Sequence, residues 1–272
     1  MSAPDTGWLG LRGSTCVVTG AGGGIGRAVA LAFAQAGANL ALADRNPETC
    51  AETKAAVEKL GGWALALQCD ISEEASIASA AAATLAAFGG ADILVNNAGI
   101  LRPGGIDTVA TADWEHMLKV NLTGYFLTTR AFGAAMLEKG AGAIVHISSI
   151  AASEPQPFSG AYSPGKAAVS MLSRQIAFEW GPRGVRSNVV SPGLVRTPLS
   201  EPFYTAPGIA EKREAMVPVR RIGHPSDIAD VAVFLASGRA SYVNGQEIVV
   251  DGGLSQTLMS LVPRPGFGEA AP

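Results

Sequence analysis

The chain has 272 residues, of which 48% are apolar and 16% charged, and its formal net charge is -3. This composition excludes a disordered or fibrous chain and suits one domain with a sheet covered on both faces. Without a basic field nucleic acid is not an expected partner, and no apolar run reaches membrane-spanning length.

Residues 1–13 contain Asp5 and no apolar export core, so no signal peptide is expected and a cytoplasmic location is. Cys16, Cys50 and Cys69 are odd in number and widely spaced, which argues against disulfides and zinc and for small core residues. In chain order, a strand at 15–19 runs into Thr19, Gly20, Ala21, Gly22, Gly23, Gly24, Ile25 and Gly26, which open a helix at 25–36. Glycines let backbone approach a phosphate, and a helix N-terminus offers it free N–H groups and a positive dipole end. The bland alternative is a tight strand-to-helix connection.

Gly37 closes that helix, and a strand at 40–43 ends at Asp44, eighteen residues past Gly26, where a carboxylate can accept from adenosine ribose hydroxyls. Arg45 could instead pair with a 2′-phosphate. A phosphate beside Asp44 would bring like charges together, so NAD is expected rather than NADP, with Arg45 stacked over adenine or solvated.

A helix at 47–60, a strand at 64–69, a helix at 73–88 with Ser72 as its N-cap and a strand at 93–96 follow. One long helix is expected at 111–139, closed by Gly140, then a strand at 143–148, a helix at 162–180 and a strand at 185–190. Pro198, Pro202, Pro207 and Pro218 make 197–219 a long loop, expected to be a substrate lid. A helix at 225–235, a strand at 247–250 and an irregular arm at 254–272 complete the chain. Seven strands alternating with helices predict a doubly wound α/β fold in a single domain.

Tyr162 and Lys166 lie four residues apart, so on a helix they share a face, and Pro164 in the first turn does not break it. A phenol ordinarily titrates near 10, and a nearby ammonium favours the phenolate that acid–base catalysis at neutral pH requires. Ser149 stands thirteen residues before Tyr162 at the end of a strand, where its hydroxyl can polarise a substrate oxygen. His116, His146 and His224 lack metal-ligand spacing and no G-x-S-x-G elbow is present, so neither a metal centre nor a serine hydrolase is expected.

The glycine turn, Asn96-Asn97-Ala98-Gly99, Tyr162-Ser163-Pro164-Gly165-Lys166 and Pro192-Gly193 together closely resemble the short-chain dehydrogenase/reductase family over about residues 10 to 253. The resemblance implies a seven-stranded parallel Rossmann sheet and a homotetramer or homodimer built on the two long helices at 111–139 and 162–180. It also implies that Asp70 and Ile71 flank adenine, Asn97 to Gly99 back the cofactor ribose, and Pro192, Gly193, Val195 and Thr197 contact the nicotinamide. Asp70 as a helix cap and Thr197 as a loop hydroxyl stay open. Asn121 corresponds to the family's asparagine that holds a water leading to the lysine, Ser149 to its catalytic serine, and Lys166 also to the holder of the nicotinamide ribose. Ser148 is then structural.

The expected function is hydride transfer between NAD(H) and a secondary alcohol or ketone, first a small polar one such as a sugar, sugar alcohol, cyclic diol or hydroxy acid. Arg102, Glu154 and Gln156 are the candidate polar substrate contacts, and Phe158, Phe203, Tyr204 and Met216 the apolar ones. A 3-oxoacyl thioester or a steroid is the alternative substrate class. A non-catalytic NAD-binding sensor is the alternative of another kind. The arm at 254–272 is expected to reach a neighbouring subunit.

Overall fold

A computed structural model describes residues 7–263. Seven strands form one parallel sheet: β1 Thr15–Thr19, β2 Asn39–Asp44, β3 Ala64–Gln68, β4 Ile93–Asn96, β5 Gly142–Ile147, β6 Val185–Pro192 and β7 Glu247–Val250. The order across the sheet is β3-β2-β1-β4-β5-β6-β7, a doubly wound Rossmann arrangement.

Period-two alternation divides the strand residues between two cores. Leu40 and Leu42 of β2 face one side with Val18 of β1, packing under α1 (Gly24–Gln35), α2 (Pro47–Lys59) and α8 (Pro225–Ala236) through Phe33, Cys50, Ile228 and Leu235. Ala41 and Ala43 face the other side with Val17. That side is covered by α3 (Glu74–Phe88), α5 (Gly124–Lys139) and α6 (Tyr162–Trp180) through Ile77, Tyr125, Phe132 and Ile176. Burial on both faces is why the strands read as continuous apolar runs.

The helix ends follow local chemistry. Asn46 caps α2 by accepting from Glu48 N at 2.9 Å, with Pro47 in its first turn. Gly140 closes α5 in the left-handed region at φ 72°, its N–H donating to Met136 O. Ser72 does not cap α3 as expected: the cap position is Glu73, and the Ser72 hydroxyl donates instead to Asp70 Oδ1 at 2.7 Å.

The helix expected at 111–139 is divided. α4 (Thr111–Leu118) passes through a π-helical turn at Lys119–Thr123 before α5 begins. The wider turn seats Asn121 against Ile100, accepting from its N–H at 2.9 Å and donating to its carbonyl at 2.8 Å. It also lets Gly124 lie flat on Ile71, where an added Cβ would sit 2.8 Å from the Ile71 carbonyl oxygen.

Segment 197–219 carries a 3-10 turn at Glu201–Tyr204 and the short helix α7 at Ile209–Met216. Beyond β7 the chain makes two 3-10 turns, Leu254–Gln256 and Leu258–Leu261, and the rest of the expected arm, 264–272, lies outside the described residues. No helix among the described residues is long and apolar enough to cross a membrane.

Candidate active site

The strand order reverses between β1 and β4, so the loops leaving them part and open a cleft at the C-terminal edge of the sheet. The cleft measures about 480 Å³, within the range of cofactor and substrate pockets. Its lining runs from Asp44, Arg45, Asp70 and Ile71 at one end, past Gly20, Gly24, Ile25 and Asn97 to Gly99, to Ser149, Tyr162 and Lys166 at the other. Pro192, Gly193, Val195 and Thr197 line it from β6 onward.

The glycine turn is tightly built. Asn97 locks it from β4, its side-chain amide donating to Thr19 O at 3.0 Å and Gly20 O at 3.2 Å. Gly26 is buried under the turn, outside the cleft lining, and a Cβ there would stand 2.0 Å from Gly20 O. Above the turn the situation is the reverse: a Cβ on Gly23 would meet only Pro198 Cγ, at 3.9 Å. No side chain caps α1 and no acid occupies its first turn. The site therefore fits a dinucleotide pyrophosphate, with open backbone and free helix N–H groups at the phosphate position. At the end of β2 the Asp44 carboxylate is fixed by Gly22 N at 2.8 Å on one oxygen and Asn46 N at 2.9 Å on the other.

At the far end Ser149 caps a 3-10 turn at Ile150–Ala152, its Oγ accepting from Ala151 N at 3.1 Å. Ser148 turns away and donates to Lys166 O at 2.9 Å. Lys166 is buried, donating from Nζ to Ile147 O at 2.7 Å, and its ammonium lies 5.7 Å from the Tyr162 ring centre. Asn121 backs this end: its Oδ1 would lie 3.3 Å from a Cβ on Gly99, but it does not line the cleft.

The electrostatics depart from the simple expectation that Lys166 lowers the Tyr162 pKa. Burial pushes the Tyr162 phenol up, with the Ser149 hydrogen bond pulling the other way, and burial brings the Lys166 ammonium down to about 7. In the free cleft burial thus opposes the charged form of both groups, and the Ser149 hydroxyl is the neighbour that favours the phenolate.

Of the expected substrate contacts, Gln156, Phe203 and Tyr204 line the cleft. Arg102, Glu154 and Phe158 lie outside it. Arg102 is held by an ion pair to Asp113, and Phe158 is 76% exposed with φ at 57°. Met216 is exposed, also outside the lining. The sequence reading missed Arg213, which lines the cleft from α7, and Tyr125, whose Oη lies 3.4 Å from Lys166 Nζ. Neither carries a motif; only the π turn and the fold of 197–219 bring them to the site.

Behind Tyr125 lies a buried polar cluster. Asn96 donates to His146 Nδ1 at 3.3 Å and accepts from Thr128 at 2.7 Å, while His146 stacks on Tyr125 and its Nε2 has no partner among the described residues. Burial, and then the Lys166 charge, hold the His146 imidazole down to about 3. Below about pH 6.5 the unfolded chain takes up a proton that the folded chain refuses. This residue should therefore cost stability as pH falls from about 6.5 to 3, by up to about 1.4 kcal/mol per pH unit. Urea melts across that window should show a shallower pH slope for His146→Gln than for the parent; equal slopes would refute this.

The family model described as enoyl-(acyl carrier protein) reductase matches residues 20–255. D-threitol dehydrogenase of Mycolicibacterium smegmatis is 41% identical over 244 residues, covering 89% of this chain and 93% of that enzyme. A 7α-hydroxysteroid dehydrogenase solved with NADH and 7-oxoglycochenodeoxycholic acid superposes with a TM-score of 0.86 at 36% identity, over 90% of this chain and 95% of that one. A gluconate 5-dehydrogenase from Burkholderia cenocepacia J2315, solved with NADP and tartrate, does so with a TM-score of 0.86 at 33% identity, over 90% and 96%. With these matches across nearly its whole length, the chain belongs to the short-chain dehydrogenase/reductase family, oxidoreductases that exchange hydride between a nicotinamide dinucleotide and a CH–OH or C=O carbon.

Proposed function

We propose that the chain is an NAD(H)-dependent dehydrogenase of a small polar secondary alcohol, with Tyr162 as its proton-transfer residue. The observation that carries this reading is one continuous cleft with Asp44 at its adenosine end and Ser149, Tyr162 and Lys166 at its chemical end. Bound there, the nicotinamide supplies hydride acceptance or donation. Ser149 orients the alcohol oxygen, and Tyr162 takes its proton in oxidation or returns it in reduction. Lys166 holds the nicotinamide ribose and stabilises the ionised form of Tyr162, while Asn121 shapes the wall behind it. Asp70 and Ile71 flank adenine, Asn97, Ala98 and Gly99 back the ribose, and Pro192, Gly193, Val195 and Thr197 meet the nicotinamide.

NAD is preferred because both Asp44 oxygens are already fixed by backbone N–H groups, so the carboxylate cannot swing away from a 2′-phosphate. Asp44→Ser is expected to lower kcat/KM for NAD at least about tenfold and to raise it for NADP, a charge-assisted hydrogen bond being exchanged for relief of repulsion. Steady-state rates with the two cofactors check this; an unchanged preference would contradict the assignment.

The apolar lining by Ile100, Leu101, Leu199 and Phe203 favours a second reading within the class, a steroid or 3-oxoacyl substrate. Absorbance of NADH with polyols and hydroxy acids against steroid and acyl ketones separates the two. NADH binding with no turnover on any of them would identify a sensor instead.

Segment 197–219 acts as a lid over this end. The protein works in the cytoplasm as a homotetramer, consistent with three free buried thiols and with apolar side chains left outward on α5 and α6, such as Phe126, Met171 and Phe178. The tail residues Leu258, Met259 and Leu261, also exposed, would be covered in the same assembly.

A further inference from the structure

Beyond the cofactor, the cleft's charge is unevenly placed. Its carboxylates, Asp44 and Asp70, lie with Arg45 at the adenosine end, whereas Lys166 lies at the chemical end and Arg213 lines the cleft from α7, in the segment that follows β6. An arginine remains charged at any working pH and presents a fork of N–H donors that matches a carboxylate. Arg213 makes no ion pair and no hydrogen bond among the described residues. The acid that could have neutralised this wall, Glu201, is already taken by Arg196, at 3.0 Å from Nε and 2.7 Å from Nη2.

The guanidinium is nevertheless held in place. It lies 5.7 Å from the Phe203 ring centre and 4.8 Å from that of Tyr204, both of which line the cleft with it. Aromatic faces fix a cation without consuming its hydrogen-bond donors, so the fork is positioned and still unspent. The Tyr204 hydroxyl on the same wall is buried without a partner among the described residues, an unmet capacity of the kind that a bound polar group satisfies. Arg196, 5.4 Å from the Tyr204 ring centre, is spent on Glu201, and Arg102 is outside the cleft and paired with Asp113.

Resting on the dehydrogenase reading above, we infer that Arg213 selects an anionic substrate, a short-chain hydroxy acid or its oxo acid, whose carboxylate it binds while the carbinol carbon lies at Ser149 and Tyr162. The neutral alditol of the same length binds the same cleft without that pair.

Matched pairs test this: threonate against threitol and gluconate against glucitol, each with NAD, for the parent, Arg213→Gln and Arg213→Lys. The ratio of acid to alditol kcat/KM is expected to exceed 1 in the parent and to fall about 30-fold in Arg213→Gln, mainly through KM, the scale of a hydrogen bond to a charged group. Arg213→Lys should recover part of it. Calorimetric binding of tartrate to the NADH-loaded protein should weaken in parallel. Turnover of alditols with no preference for acids, or an equal loss on both substrates together with a raised KM for NAD, would overturn the inference while leaving the dehydrogenase reading intact. Absence of turnover on every pair would overturn that reading instead, and the tartrate titration still decides the role of Arg213: affinity unchanged in Arg213→Gln refutes it.

Discussion

Tyr162→Phe is expected to lower turnover by about a thousandfold or more, within the range that a positioned acid–base group contributes, while NADH affinity changes little. The substitution removes one oxygen and keeps the ring that Lys166 faces at 5.7 Å. Packing of α6 through Val169, Ile176 and Ala177 is untouched, so the loss would be chemical rather than structural. Burial pushes the phenol up and brings the Lys166 ammonium down to about 7, so the phenol is the group that needs its neighbours to release a proton, the Ser149 hydroxyl among them. Phenylalanine has no proton to take up or release. Steady-state rates beside quenching of protein fluorescence by NADH check the prediction; parallel loss of binding and rate would mean that Tyr162 only holds the cofactor.

The second large effect belongs to Gly26→Ala. At most helical positions this change is mildly favourable, since alanine is the better helix former. Here the added Cβ would stand 2.0 Å from Gly20 O and 2.5 Å from Asn97 Nδ2, and neither neighbour is a flexible side-chain end free to swing aside. Asn97 is itself bonded to the carbonyls of Thr19 and Gly20, so relief requires opening the whole turn. A destabilisation of about 3 kcal/mol is expected, the upper range for overpacking, together with a loss of NADH affinity of about 100-fold or more. Urea unfolding and NADH titration measure both. An alanine variant with parental stability and affinity would show that the turn is not the rigid cradle described.

Gly26, with Asp44, also shows what could be read before the fold was known. Gly26 and Asp44 were legible as cleft-building residues because a glycine turn and a strand-end carboxylate occupy fixed offsets from strand ends, and strand ends are marked by apolar runs. The sheet was legible for the same reason: Leu40 and Leu42 alternate with Ala41 and Ala43, which can only serve two differently filled faces. The interruption at Lys119–Thr123 was not, because a π turn inserts one residue without a breaker such as Pro to announce it. That insertion brings Tyr125 to Lys166. Arg102 and Arg213 exchanged places for a related cause: in irregular segments nothing periodic says which cation finds a carboxylate, as Arg102 does in Asp113, and which is left facing the cleft.

The cleft is expected to move hydride directly between an alcohol carbon and the nicotinamide, with Tyr162 moving the proton. The measurement that meets it most directly uses an alcohol the protein oxidises, deuterated at its carbinol carbon, followed by NMR of the NADH formed. Deuterium on one face of nicotinamide C4, formed by the parent and lost with Tyr162→Phe, is the predicted result. NADH without deuterium, or label transfer undiminished in Tyr162→Phe, would contradict the account.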